Sequence, residues 1–233
     1  MSTGWTNSML YDEKSFIDYH LRGDAGVECS LNAKICNALR LSDFDKFRYI
    51  YFYSMTYNVD SALDMLNGER DIKKLNFRTD RRYVRCNGAY PRLLEGLTED
   101  KLQQLRNCRS TQQLYDTCRK WFFFGRYAAF LFLENYMETF KPNVVKDLKM
   151  GWEPDENYTK GAELVAGTND RTVLDRFLAR CIRATGSNEF ALETSFCAVE
   201  KIRKGTRWDG YYTERLIGEM ENSKYKNLVL GLL

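Results

Sequence analysis

Trp121-Phe122-Phe123-Phe124-Gly125-Arg126-Tyr127-Ala128-Ala129-Phe130-Leu131-Phe132-Leu133-Glu134 is the most apolar stretch of the chain, and the architecture is organised around it. A helix that is apolar on every side has no face to offer water, so these residues predict a central buried helix. Gly125 interrupts the run. Glycine inside a helix costs ~1 kcal/mol against alanine, so its presence predicts a break or a close backbone approach. Lys141-Pro142 predicts the end, because proline has no N–H and clashes with the preceding turn.

The segments on either side also read as helices. From Asp43 to Leu66, Phe44, Phe47, Tyr51, Met55, Val59, Leu63 and Leu66 recur every three or four residues, an amphipathic pattern. Asp43 and Asp45 suit its first turn, and Asn67-Gly68 supplies the stop. Thr98-Glu99-Asp100 opens a short helix bearing Leu102 and Leu105. Asn107 to Ser110 reads as a turn, with Thr111 as the cap of the next helix. Met150 to Asn169 reads as a polar, loop-rich stretch, and helical patterns resume over 170–183, 188–204 and 210–222. Alternating strand patterns are weak, and no repeat or linker is visible. The expectation is a compact all-α protein over residues 1–233, one domain or two intimate lobes, with an N-terminal helical part over 1–70.

Composition narrows the function classes. With 233 residues, 44 % apolar and 29 % charged, the chain is long enough to bury a core and too apolar for disorder. No apolar run approaches the ~20 residues of a membrane span. The N-terminus lacks a basic flank followed by an apolar stretch, which argues against a signal peptide. Seven cysteines with no CxxC pair, and His20 as the only histidine, argue against a zinc site or a disulfide framework. Reduced thiols in a cytoplasmic compartment are expected. A single histidine also excludes most Ser-His and Cys-His chemistries unless His20 is the base. No Walker loop, GxGxxG or HExxH occurs, so neither cofactor nor metal is expected.

The net charge of +3 is unevenly spread. Residues 1–30 hold Asp12, Glu13, Asp18, Asp24 and Glu28 against Lys14 and Arg22, a balance of −3. Residues 71–92 hold Lys73, Lys74, Arg78, Arg81, Arg82, Arg85 and Arg92 against Asp71 and Asp80, a balance of +5. Such asymmetry fits either a solvated face or a polyanionic ligand.

Three groups of residues could carry chemistry. Arg126 and Glu134 lie eight apart on the apolar helix, roughly on one face, as an anion clamp and a general base, or as a core ion pair with other partners. Arg78 and Arg81 belong to a segment of guanidinium groups interleaved with aromatics, which suits phosphates and stacked bases. Glu193, Cys197 and Lys201 fall at i, i+4 and i+8, one helical stripe. Beyond them Arg207, Trp208, Tyr211, Tyr212 and Arg215 concentrate rings and charges at a turn.

Four strings together resemble a known family. They are Phe124 to Glu134; Lys160-Gly161-Ala162-Glu163-Leu164 with Gly167; Leu192-Glu193-Thr194-Ser195-Phe196-Cys197-Ala198 with Lys201; and Arg207-Trp208-Asp209-Gly210-Tyr211-Tyr212-Thr213-Glu214-Arg215. The pattern looks like the phage α-glutamyl/putrescinyl thymidine pyrophosphorylases, also called amino acid:DNA transferases, over roughly residues 77–215. The resemblance implies an all-α fold distantly similar to helix-hairpin-helix DNA glycosylases, with the turn at 107–110 contacting the DNA backbone. It also implies a phage enzyme of the host cytoplasm that hypermodifies thymine. Its substrates would be DNA carrying phosphorylated 5-hydroxymethyluracil and a small amine, an amino acid or a polyamine. Glu134, Glu193 and Lys201 would be catalytic; Arg78, Arg81, Arg126, Lys160, Arg207, Tyr211, Tyr212 and Arg215 would hold substrate or phosphate. The chain departs from the glycosylases in lacking a Gly-Pro-Gly…Asp loop, for which Trp152-Glu153-Pro154-Asp155 is a loose substitute. Base excision and noncatalytic nucleic-acid binding are the competing expectations.

Overall fold

The computed structural model describes residues 11–78, 84 and 88–233. Their helices are α1 (Glu13–Arg22), α2 (Val27–Ala38), α3 (Asp43–Thr56), α4 (Val59–Leu66), α5 (Ala89–Glu95), α6 (Glu99–Arg106), α7 (Thr111–Arg119), α8 (Arg126–Phe140), α9 (Asn157–Ala166), α10 (Arg171–Thr185), α11 (Glu189–Arg203), α12 (Tyr211–Glu219) and α13 (Lys226–Leu230). Among the described residues there is no strand, only one isolated bridge between Ser110 and Val145. None of these helices is long and apolar enough to cross a membrane. The chain forms two compact units, one from residues 1–28 and 148–218, the other from 29–147 and 219–233.

In the second unit α8 is the buried centre. Every residue from Ala128 to Met137 is buried, as its composition requires. Helix α3 lies against it, and Phe47, Tyr51, Trp121, Phe124 and Phe132 interlock with centroids 5.1–6.4 Å apart. One polar network crosses this core. Asn32 Nδ2 donates to Asn135 Oδ1 (2.8 Å), Tyr49 Oη donates to Asn32 Oδ1 (2.7 Å), and Asn135 Nδ2 donates to the Leu131 carbonyl (2.8 Å).

The first unit packs α1, α9, α10 and α11 around Phe16, Phe177 and Phe196, with Phe16 stacked on Phe196 at 4.5 Å. Helices α9 and α11 meet backbone to backbone at Gly161, where a Cβ would stand 2.0 Å from the Phe196 carbonyl oxygen. Half-buried His20 ties α1 to α11 and to the turn before it, its Nδ1 2.7 Å from Ser195 Oγ and its Nε2 2.7 Å from Ser187 Oγ. Loss of hydration pushes the His20 imidazole down to about 4.

The structure corrects three local expectations. The single helix expected from Asp43 to Leu66 divides at Tyr57, whose φ of 52° ends α3 before Asn58 caps α4. Ser110, not Thr111, caps α7, accepting from the Gln113 N–H. The stretch 150–169 is not all loop, because residues 157–166 form α9. Its small and polar residues hid a helix whose buried face, Tyr158, Gly161, Ala162 and Val165, is built for close approach. The break at Gly125 and the stop at Lys141 stand where the sequence puts them.

Candidate functional site

The densest gathering of expected residues lies in the first unit, around the start of α12. Helix α11 displays Glu193, Cys197 and Lys201, all half-buried, along one stripe. Cys197 is close enough to Tyr212 for its charge to act on the phenol. Tyr212 is buried, and loss of hydration pushes its phenol above the usual tyrosine range. Cys197 and Glu28 push in the same direction, and the guanidinium groups of Arg207 and Arg215 oppose. Arg207 stands over Tyr211 at 4.0 Å and over Tyr212 at 5.3 Å, and Arg215 over the same rings at 5.5 and 5.2 Å. Two cations therefore share two aromatic faces.

Acidic residues of the N-terminal segment hold this arrangement. Asp24 binds the start of α12 from outside it. Its Oδ2 accepts from the Gly210 N–H (3.1 Å), and its Oδ1 accepts from the Thr213 N–H (3.2 Å) and hydroxyl (3.0 Å). A carboxylate at a helix N-terminus both satisfies unpaired donors and complements the dipole. Arg22 pairs with Asp209 at 2.5 Å, and Arg215 Nη2 donates to Glu28 at 3.0 Å. Trp208 Nε1 donates to Glu214 at 3.0 Å, and its indole stays exposed. The carboxylates of Asp24, Glu28, Asp209 and Glu214 are thus all engaged. Arg207 differs, since its Nη1 is buried with no hydrogen-bond partner. Tyr19 Oη is likewise buried and unpartnered, in a phenol that feels the charges of Tyr212, Asp24 and Asp209. The unused Arg207 donor, on one of two neighbouring guanidinium groups, suits an anion with several acceptor oxygens.

Tyr19, Asp24 and Glu28 escaped the sequence reading as site residues. Of the acids in the −3 stretch over residues 1–30, Glu28 pairs with Arg215 and Asp24 holds the backbone of the turn, a match the charge count alone does not show.

The remaining expected residues are placed as follows. Lys201 lies one turn past Cys197, with no ion-pair partner among the described residues. Lys160 turns back on its own helix start, its ammonium 3.2 Å from the Asp155 carbonyl and 3.6 Å from that carboxylate. In the second unit, Arg126 occupies the first position of α8, its guanidinium 4.1 Å from the Phe130 ring. Glu134 is buried on the same helix, about 12 Å further along the axis at 1.5 Å per residue. Arg78 grips Glu219 with two nitrogens, at 3.0 and 2.6 Å, and covers Tyr57 at 4.2 Å. A guanidinium held this way has its fork turned to a carboxylate rather than to a phosphate. Arg81 lies outside the described residues.

The 107–110 turn is poorly suited to DNA phosphate. The first N–H groups of α7 are consumed by the Val145 carbonyl (2.8 Å), the Asp147 carboxylate (3.0 Å) and Ser110 Oγ (3.3 Å). Asp147 would also repel an incoming anion. No group of three or more His, Cys, Asp or Glu among the described residues is arranged to hold a metal ion. Compared with protein-family models, with curated proteins and with solved structures, the chain matches none of them.

Proposed function

We propose that the protein is a DNA-modifying transferase that replaces the phosphate or pyrophosphate on 5-hydroxymethyluracil in DNA with an amine. The observation that carries this reading is the pairing of Arg207 and Arg215 over Tyr211 and Tyr212, with the Arg207 Nη1 donor unused. Guanidinium groups of this kind stabilise negative charge gathering on a departing phosphate. The half-buried Tyr211 and the exposed Trp208 provide rings against which a flipped base can stack, with Tyr212 buried behind them.

In the proposed step a neutral amine nitrogen attacks the methylene carbon on C5. The C–N bond forms as the C–O bond to the phosphoryl group breaks, and the leaving group departs with the electron pair. The ammonium proton passes to a carboxylate. Glu193 takes that role in preference to Glu134, because it shares the α11 stripe with Cys197, the neighbour of Tyr212. Lys201, on the same stripe, supplies positive charge for the leaving group, and Arg215 with Arg207 seats the phosphate or the carboxylate of an amino-acid donor. The fold reading that accompanies this is a distant likeness to helix-hairpin-helix glycosylases.

The test is nucleoside mass spectrometry after incubating the protein with DNA carrying 5-phosphomethyl- or 5-pyrophosphomethyluracil and a mixture of amino acids and polyamines. Release of phosphate or pyrophosphate with a mass shift in the nucleoside is expected. Glu193→Gln should lower kcat by about 100-fold or more, the size of a lost general base. Abasic sites in place of a mass shift would make the protein a glycosylase. Binding without any covalent product would make it a noncatalytic module.

A further inference from the structure

Two hydrogen-bond donors in the first unit are buried and unspent. Tyr19, on α1, is 1 % exposed, and its Oη meets no partner. Arg207, on the turn before α12, buries its Nη1 in the same way. A dry, unpaired donor costs the fold stability, so each calls for a partner that arrives from outside the chain. One residue neighbours both. The charge of Tyr212 acts on the Tyr19 phenol, and the Arg207 guanidinium stands 5.3 Å from the Tyr212 ring. The charges around them are matched except for one. Arg22 pairs with Asp209 at 2.5 Å, and Arg215 with Glu28 at 3.0 Å. Asp24 is spent on the N–H groups of Gly210 and Thr213, and Glu214 on the Trp208 indole. Arg207 has neither ion pair nor hydrogen bond among the described residues, only the faces of Tyr211 and Tyr212. Loss of hydration pushes the Tyr19 phenol above the usual tyrosine range, so at neutral pH its proton stays on the oxygen as a donor.

We infer that Tyr19 Oη and Arg207 Nη1 are donors of one seat for a phosphoryl oxyanion, and that Tyr19 makes this seat prefer phosphate to carboxylate. A carboxylate holds its two oxygens in one plane, which a single guanidinium fork satisfies. A phosphoryl group sets its oxygens around a tetrahedron, so a donor from a second element finds an acceptor that a carboxylate lacks. The inference rests on the proposed role of Arg207 in holding the leaving group. It adds the residue that tells that group from the carboxylate of an amino-acid donor.

The experiment is calorimetric titration of the full chain with inorganic phosphate, pyrophosphate and acetate at fixed ionic strength, with thermal melts of every variant. Phosphate and pyrophosphate are expected to bind about ten-fold more tightly than acetate. Tyr19→Phe keeps the ring and removes the hydroxyl. It should weaken phosphate about ten-fold, the size of one hydrogen bond to a charged group, and leave acetate unchanged. Without ligand, Tyr19→Phe should melt no lower than the wild type, because the deleted hydroxyl has no partner to lose. Arg207→Gln should weaken phosphate by about ten-fold or more. Arg183→Ala, an exposed arginine on α10, serves as the control and should change nothing. Phosphate bound no better than acetate, or wild-type phosphate affinity in Tyr19→Phe, would overturn the seat. So would a lowered Tm in the ligand-free Tyr19→Phe protein, by showing that the hydroxyl is already paired. Product from Tyr19→Phe on phosphorylated DNA at wild-type KM would remove the seat and leave the transferase reading intact. Phosphate selectivity lost in Tyr19→Phe, with no product from the wild type, would keep the seat and remove the transferase reading.

Discussion

Gly161→Ala sets two effects of opposite sign against each other. Alanine in a helix interior is worth ~1 kcal/mol more than glycine, so propensity alone predicts a more stable protein. Packing predicts the reverse. The new Cβ would stand 2.0 Å from the Phe196 carbonyl oxygen and 2.8 Å from its carbon, where ordinary contact begins near 3.4 Å. The obstacle is the backbone of α11, which no rotamer change can relieve, so α9 and α11 must separate by more than 1 Å. Overpacking a rigid core costs ~1–3 kcal/mol and more when backbone must move, so a net loss of about 3 kcal/mol is expected. At ~2–4 °C per kcal/mol for a chain of this size, Tm should fall by ~6–12 °C. Gly218→Ala is the matched control: it lies in α12 with nothing within 4 Å of its Cβ position, and should gain up to ~1 kcal/mol. Thermal melts followed by circular dichroism read both. An unchanged or raised Tm in Gly161→Ala would refute the backbone contact between α9 and α11.

Three further outcomes follow from the same geometry. Burial holds His20 at about 4 in the folded protein against 6.5 in the unfolded chain, so the unfolded state alone binds a proton between those values. Stability should therefore be unaffected above pH 6.5 and fall by ~1.4 kcal/mol per pH unit down to about pH 4, roughly 3 kcal/mol in all. Urea midpoints across that window would show it, and His20→Gln should flatten the acid limb. Asp24→Ala removes the acceptor for two N–H groups and one hydroxyl at the start of α12 and should cost ~1–2 kcal/mol in chemical denaturation, with Asp24→Asn milder. Arg78→Ala should lower stability and leave the salt dependence of DNA binding unchanged, because its fork serves Glu219; a reduced salt slope would show that it meets phosphate instead.

The fold was more legible than the site. The apolar run announces a buried helix, which the structure places over residues 126–140 with 128–137 buried and Tyr127 exposed, and Gly125 and Lys141-Pro142 mark its ends by backbone rules that tertiary context seldom overrides. Helix α9 was missed because helix prediction leans on large apolar residues. Its buried face works by smallness, and Gly161 reads as a breaker until Phe196 is set against it. At the site, the stripe Glu193–Cys197–Lys201 and the rings of Tyr211 and Tyr212 were legible from spacing. The roles of Asp24, Glu28 and Tyr19 were not, since residues nearly 190 positions apart meet only in the folded chain. Arg78 shows the same gap from the other side. A basic run declares its charge in the sequence and keeps its counter-ion out of sight.

The amide pair in the middle of the second unit has a consequence for anyone redesigning this core. A helix greasy all the way round has no preferred azimuth, and any side of α8 could have been turned toward α2 and α3 at similar cost. Asn135 breaks that degeneracy, because only one rotation of the rod lets it meet Asn32 beneath the hydroxyl of Tyr49. Exchanging one asparagine for leucine leaves the amide atom of its mate that met it, Asn32 Nδ2 or Asn135 Oδ1, unmatched, whereas exchanging both leaves a well-filled but indifferent interior. The doubly altered protein would keep its helices and surrender the single orientation in which they lock.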